Sequence, residues 1–455
     1  MIRISDVKPA VNGGGATKRV VVTKPKKTPG VTKSVISDDP KMKAELDALL
    51  TDAIKNNASA IHIEPHDSGV MVRYRVDGLL RQGKEVSALA PLVAQVKHFA
   101  NLDTEENRVP QDGRYETALG DRKFVVRASF LPVADGEKVV LHVSDQSTEP
   151  HDLERLGYWG HSLHALTDAV ENTNGLVVIG GPAGSGKTAT LYGLMHVVAH
   201  PSRNLAAIED TIEHRVPGIN QTPVNTKAGM TFATALRAVL QQDPNVLMIS
   251  DLREPETTGM ALHAALAGRL VLAGMATHDV AATVGHIVAM HTEPYLLASA
   301  SRAVVNQRLV RRLCADCREG YKPSAEEFAA ACMATGLNPK GALSHIDELE
   351  KTAAAELGIP LNTKAVAQGK VTKLWRAKDG GCAACGGTGY KGRVVITEVM
   401  TVSPAIQKLI FSNGSPEALY DQAVSDGMVP LPLDGLVKAA LGVTSVEEVL
   451  RVVSA

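Results

Sequence analysis

Aromatic residues are scarce: 6 Phe, 8 Tyr and 2 Trp make up 4% of 455 positions. A surface that stacks successive bases needs such rings, so their scarcity speaks against that class of function. An excess of charge is missing too. Lys and Arg number 48 against 49 Asp and Glu, which provides no field for general nucleic-acid binding. No apolar run reaches membrane-spanning length; the nearest, residues 264–276, is interrupted by Arg269. No secretory signal is visible, and a cytoplasmic address is the default. Cysteine is limited to five residues, four of them in two CxxC pairs. That pattern suits a reducing compartment and a metal better than disulfides.

Glycine is plentiful, and one glycine-rich stretch organises the chain. GGPAGSGKTATL, residues 180–191, follows the apolar run Leu176-Val177-Val178-Ile179 and opens a segment with helical spacing. Strand, glycine turn and helix are the context in which Gly181-x4-Gly186-Lys187-Thr188 reads as a phosphate-binding loop. The loop Gly181, Pro182, Ala183, Gly184, Ser185, Gly186 and on to Ala189 would curl round the nucleotide and turn its N–H groups, which Pro182 lacks, toward phosphate oxygens. The helix N-terminus adds its dipole. Lys187 would reach the β- and γ-phosphates of ATP, and the Thr188 hydroxyl would hold Mg²⁺.

At this length two or three domains are expected. Residues 1–40 hold a triple glycine, several prolines and mostly basic charge. They read as a disordered, solvated tail, with docking on an anionic membrane or acidic partner as the alternative. Residues 41–146 read as a small α+β domain. Met42, Leu46, Leu49 and Leu50 share a helical face, and residues 70–76 alternate strictly, with Arg73 and Arg75 opposite Val72, Tyr74 and Val76. Asp77-Gly78 is a hairpin turn. Taken alone, Arg73 and Arg75 read as a solvated strand face. Residues 147–152 form a linker.

From 153 onward short apolar strands alternate with helices, the mark of a mainly parallel sheet. Glu209, Asp251 and Asp279 each follow such a strand, where ligands of open α/β sheets bind. For Asp279 a simple helix cap is an equal reading. Cys314-x2-Cys317 and Cys382-x2-Cys385 are a four-thiolate Zn²⁺ pattern with no position left for water, hence structural. Cys332 reads as a buried small residue, the spacer 325–370 as helical, and 401–455 as helices.

Many ordered pieces resemble the type II secretion and type IV pilus assembly ATPases: VRYRVDG (72–78), RVPQDGR (108–114), ASFLPVADGEKVVL (128–141), AIEDTIEHRVPGINQTPVN (207–225), NQRLVRRLCADC (306–317) and CAACGGTGYKGRVVITEV (382–399). The resemblance spans roughly 41–455. It implies an α/β fold: a RecA-like P-loop ATPase domain with a smaller α+β N-terminal domain and a zinc-binding subdomain at 310–400. It further implies a homo-hexamer at the inner face of the cytoplasmic membrane, moving a platform protein. By position, Glu209 would orient water or metal, and Arg73, Arg75, Arg114 and Arg127 would face the nucleotide. Against that resemblance, the short segment before residue 41 is expected to leave no room for the extra N-terminal docking domain of many secretion members.

The departures from the family pattern bear on chemistry. Ser250-Asp251 stands for Gly-Glu, and a displacement of about 1 Å can cost on the order of 100-fold in rate. Gln241 and Asn245 replace Arg and Asp. The histidine box has Arg269 and Ala276 at its histidine positions, with His278 two residues on. His142 stands at an arginine position. Three readings follow: an ATP-hydrolysing motor; an ATP-binding, hydrolysis-impaired ring subunit beside an active paralogue; and, disfavoured by composition, a nucleic-acid translocase.

Overall fold

In this computed structural model, residues 40–454 are described apart from 68, 85, 87, 121, 147–151, 357–365, 368 and 369. Residues 1–39 of the basic tail and most of the 147–152 linker therefore lie outside the described residues.

The helix Pro40–Lys55 buries Met42, Leu46, Leu49, Leu50 and Ala53, one stripe at helical spacing. Beside it the helix Leu89–Phe99 buries Leu92, Val93 and Val96. Both cover one face of a six-stranded antiparallel sheet: β1 Ala58–His66, β2 Gly69–Val76, β3 Leu79–Gln82, β4 Gln111–Leu119, β5 Arg122–Val133 and β6 Gly136–Asp145, in the order β3-β2-β1-β6-β5-β4. Alternation works as anticipated. Val72, Tyr74 and Val76 join Ile61, Ile63, Val126, Ala128 and Leu141 in the core, which leaves Arg73 and Arg75 on the opposite face. Asp77 (φ 48°) and Gly78 (φ 85°) both take positive φ at the hairpin, as a type I′ turn requires.

The second sheet has seven strands: β7 Gly175–Gly180, β8 Leu205–Glu209, β9 Ile219–Pro223, β10 Val246–Ile249, β11 Leu270–Met275, β12 Ser301–Leu313 and, after the zinc region, a long last strand Tyr390–Thr401. Its order is that last strand, then β12-β7-β11-β10-β8-β9. All pairs are parallel except the last strand with β12. Every residue of β7, β8, β10 and β11 is buried, as in sheets covered on both faces. Alternate residues serve two cores. Val178, Ile208, Leu247 and Val271 pack on one side; Val177, Ile179, Ala207, Met248 and Leu272 pack on the other.

The helical expectation for 325–370 agrees with two helices and is departed from near its end, where residues 366–367 and 370 are in strands; the whole segment between the cysteine pairs is mixed. It carries β13 Glu319–Tyr321, the helices Ala325–Ala334 and Pro339–Glu356, and the short strands β14 Val366–Ala367, β15 Lys370–Val371 and β16 Leu374–Arg376, followed by the sheet's last strand as β17. β13 pairs with β16 around Trp375. Cys332 is fully buried in this subdomain's core with Phe328, Ile346 and Leu374. That core is shared with the C-terminal helices Leu431–Ala440 and Val446–Val453, through Leu436, Val437 and Val446.

Candidate nucleotide site and metal centre

The loop leaving β7 bends through Gly181 (φ 151°), Gly184 (φ 77°) and Gly186 (φ 90°) before the helix Lys187–Val198 begins. At Gly181 a Cβ would sit 2.4 Å from Ser185 Oγ and 2.6 Å from the Gln307 carbonyl oxygen, so only glycine fits. Lys187 Nζ donates to the carbonyls of Gly181 (2.8 Å) and Pro182 (3.0 Å). Burial lowers the Lys187 pKa, and the Asp251 charge opposes that. Asp251 follows β10, two residues beyond Ile249. Its Oδ2 accepts from Arg253 Nε at 2.7 Å.

Gly184 to Ala189 line a cleft of about 1690 Å³ together with Lys55, Asp77 and Arg81 of the first sheet's domain and with Cys314 and Cys385. Phosphate loop, small domain and metal region therefore share one cavity. The hairpin tip touches the metal region directly, since Asp77 Oδ2 accepts from Gly392 N at 3.2 Å.

The acidic residues are sorted by direction. Glu209, expected to meet the nucleotide, is fully buried at the end of β8. Its carboxylate accepts from Tyr192 Oη and from Gln221 Nε2 (2.9 Å), and burial pushes its pKa up against those bonds. Glu213, four residues on, lines the cleft. Desolvation and the Glu209 charge hold its carboxyl above the usual range. Its backbone carbonyl accepts from Gln146 Nε2 of the small domain. The reading of the sequence missed Glu213, although the second acid of IEDTIEH (208–214) was visible. Glu213→Gln should lower phosphate release by about 100-fold while leaving the melting temperature within a few degrees; a base or water-orienting group contributes on that scale. Glu209→Gln should do the reverse, chiefly destabilising the protein. Equal turnover losses in both would reject this assignment.

Arg73, Arg75, Arg114 and Arg127 lie on one face of the first sheet. Register aligns Arg75 with Ala60, Ala60 with His142, His142 with Arg127, and Arg127 with Arg114. Directly opposed residues share a face, so three arginines and His142 form a single row, with Arg73 two residues along. The row does not line the cleft. Arg73 Nε instead binds Glu64 Oε2 at 2.7 Å, and Arg75 donates to Gly78 O at 2.9 Å. Arg127 reaches across to Asp210 of the second domain at 3.8 Å, and Arg114 is exposed. Partial desolvation, then the Arg127 and Arg75 charges, hold His142 below the usual imidazole range.

Asp279 caps the helix Val280–Ala289, its Oδ1 accepting from Ala282 N at 2.6 Å. His278 is exposed, and Asn245 Oδ1 braces Asn204 N at 2.7 Å beside β8.

The four paired cysteines converge, with all Sγ atoms within 4.8 Å of one another. Cys314–Cys382 are 3.8 Å apart and Cys317–Cys385 3.9 Å. Tetrahedral Zn²⁺ with bonds of about 2.3 Å requires S···S near 3.8 Å, so the donor set fits. Cys385 Sγ accepts from the amides of Cys382 and Gly389, both at 3.1 Å. Burial raises this thiol, yet those amides, together with hydrogen bonds from the Cys382 and Cys317 thiols, bring it down to about 6, suiting a thiolate ligand.

A family model described as type II/IV secretion system protein matches residues 36–451. The type II secretion system protein E of Klebsiella pneumoniae is 37% identical over 419 residues, 91% of this chain and 76% of its own length. The type IV pilus assembly ATPase PilB of Thermus thermophilus is 36% identical over 404 residues, 88% of this chain and 42% of its own. Among solved structures, the Legionella pneumophila ATPase DotB superposes with a TM-score of 0.59 at 18% identity, covering 89% of this chain and 94% of its own. Among the described residues no helix is long and apolar enough to cross a membrane. Glycine loop, convergent thiolates and a family match over most of the chain agree: this polypeptide belongs to the type II/IV secretion system protein family and is a secretion ATPase.

Proposed function

We propose that this ATPase works as a homo-hexameric ring at the inner face of the cytoplasmic membrane, moving a platform protein of a type II secretion or type IV pilus assembly machine. The observation that carries this reading is the shared cleft, lined by Lys187 and Thr188 of one domain and by Asp77 and Arg81 of the other. A ligand gripped by one domain can draw in the other, so nucleotide state becomes rotation of one domain against the other. Lys187 would bind the β- and γ-phosphates, and Glu213 would orient the attacking water. Thr188 would hold Mg²⁺, whose charge offsets that of the phosphates. The row Arg75, Arg127 and Arg114 with Arg73 supplies guanidinium groups that rotation can bring to a phosphoryl group. Four thiolates, Cys314, Cys317, Cys382 and Cys385, would hold structural Zn²⁺.

A second reading, a hydrolysis-impaired ring subunit beside an active paralogue, is favoured by the hold of Arg253 on Asp251. Sedimentation with a slowly hydrolysed ATP analogue should give the mass of six chains, and platform protein in vesicles should speed phosphate release. A monomer under every nucleotide condition overturns the ring. ATP binding with no phosphate release selects the second reading.

A further inference from the structure

Gln307 is fully buried on β12, beside the strand that feeds the phosphate loop; its neighbour Asn306 aligns with Gly180. Its side-chain amide is spent on this loop and on the helix after it. Nε2 donates to the Ser185 carbonyl at 2.8 Å. Oε1 accepts from Thr190 Oγ1 at 2.8 Å and from Tyr158 Oη at 2.6 Å. Tyr158 is itself fully buried. The backbone of Gln307 is also close, since its carbonyl lies 2.6 Å from where a Gly181 Cβ would be.

One peptide group links Ser185 to Gly186. It is planar and trans, so its C=O and N–H point in opposite directions. An amide that pins the Ser185 carbonyl on the β12 side therefore turns the Gly186 N–H away from β12. The positive φ of Gly186 leaves that peptide free to rotate with little steric penalty. Something outside the loop must hold it, and Gln307 is the side chain bonded to it.

We propose that Gln307 is a positioning residue for triphosphate binding: it orients the Ser185–Gly186 peptide so that the Gly186 amide faces the phosphates, while Tyr158 and Thr190 fix which end of the Gln307 amide is the donor. The proposal rests on the phosphate-loop reading and adds to it a residue more than a hundred positions away in sequence.

Three variants of the full-length, zinc-replete protein test it, with a fluorescent ATP analogue as probe. Gln307→Met keeps the volume and removes the amide. Its dissociation constant should rise about tenfold with unchanged binding stoichiometry, and KM should rise with kcat nearly constant, because ground state and transition state lose the same contact. Gln307→Glu presents an acceptor to the Ser185 carbonyl and should weaken binding at least as much; it carries the test if the Met variant does not fold. Tyr158→Phe leaves the Nε2 bond in place and should bind within about threefold of wild type. A purely structural role predicts the opposite: fewer binding sites and lower kcat at unchanged dissociation constant and KM. That result, or wild-type binding in both Gln307 variants, overturns the proposal. Failure of the phosphate-loop reading itself would appear in wild type, as absent affinity for the probe.

Discussion

Lys187→Ala should reduce phosphate release by about a thousandfold or more while leaving the fold intact. The ammonium is partly buried and bonded to the carbonyls of Gly181 and Pro182. Binding a triphosphate exchanges those two neutral acceptors for charged phosphate oxygens, so bonds already assisted by the ammonium charge gain the attraction of an ion pair. The gain continues as charge shifts toward the leaving group, so the loss falls on the transition state as well as on binding. Removing one preorganised donor of this kind costs about 10²–10³ in kcat, and loss of the cation adds to that. Stability should change little, because alanine is a good helix former at the first position of Lys187–Val198. The measurements are coupled phosphate release and a thermal melt. Residual turnover within tenfold of wild type would show that this loop does not hold the reacting phosphates.

Loss of zinc should have the second large effect, and it should reach further than the metal subdomain. Four thiolates brought within 4.8 Å repel one another once ionised, and a bound Zn²⁺ would make their convergence favourable. Structural zinc contributes on the order of 10 kcal/mol in small domains. The spacer helices pack in one core with the helices Leu431–Ala440 and Val446–Val453. Unfolding should spread to the C-terminus. Cys314 and Cys385 also line the cleft, so ATP affinity should fall as well, beyond the purely structural loss that knuckle chemistry alone suggests. Chelation, or Cys317→Ser, should expose residues 314–390 to protease and release one zinc per chain. A chelated protein with an unchanged melt and an unchanged protease pattern would contradict the metal assignment.

Much of this could be read from the chain alone, wherever the signal is local. The phosphate loop is a run of consecutive backbone conformations, so its glycines and Lys187 declare themselves in eight residues. Each CxxC pair is likewise one short turn, and strict alternation over 70–76 assigned Arg73 and Arg75 to the outer face. The fold class, including the P-loop domain and the four-cysteine cluster, agrees with the structure and its neighbours. What tertiary structure decided is direction across long separations. Strand register, a property of five strands together, put Arg75, His142, Arg127 and Arg114 into one row. Nothing in IEDTIEH says which acid turns inward; Tyr192 and Gln221, brought from elsewhere, occupy Glu209 and leave Glu213 at the cleft. Gln307 acquires its task only because β12 lies beside β7. Sequence specifies conformations that neighbouring residues impose on one another, whereas the partners of a buried polar group are chosen by packing, which no stretch of the chain contains by itself.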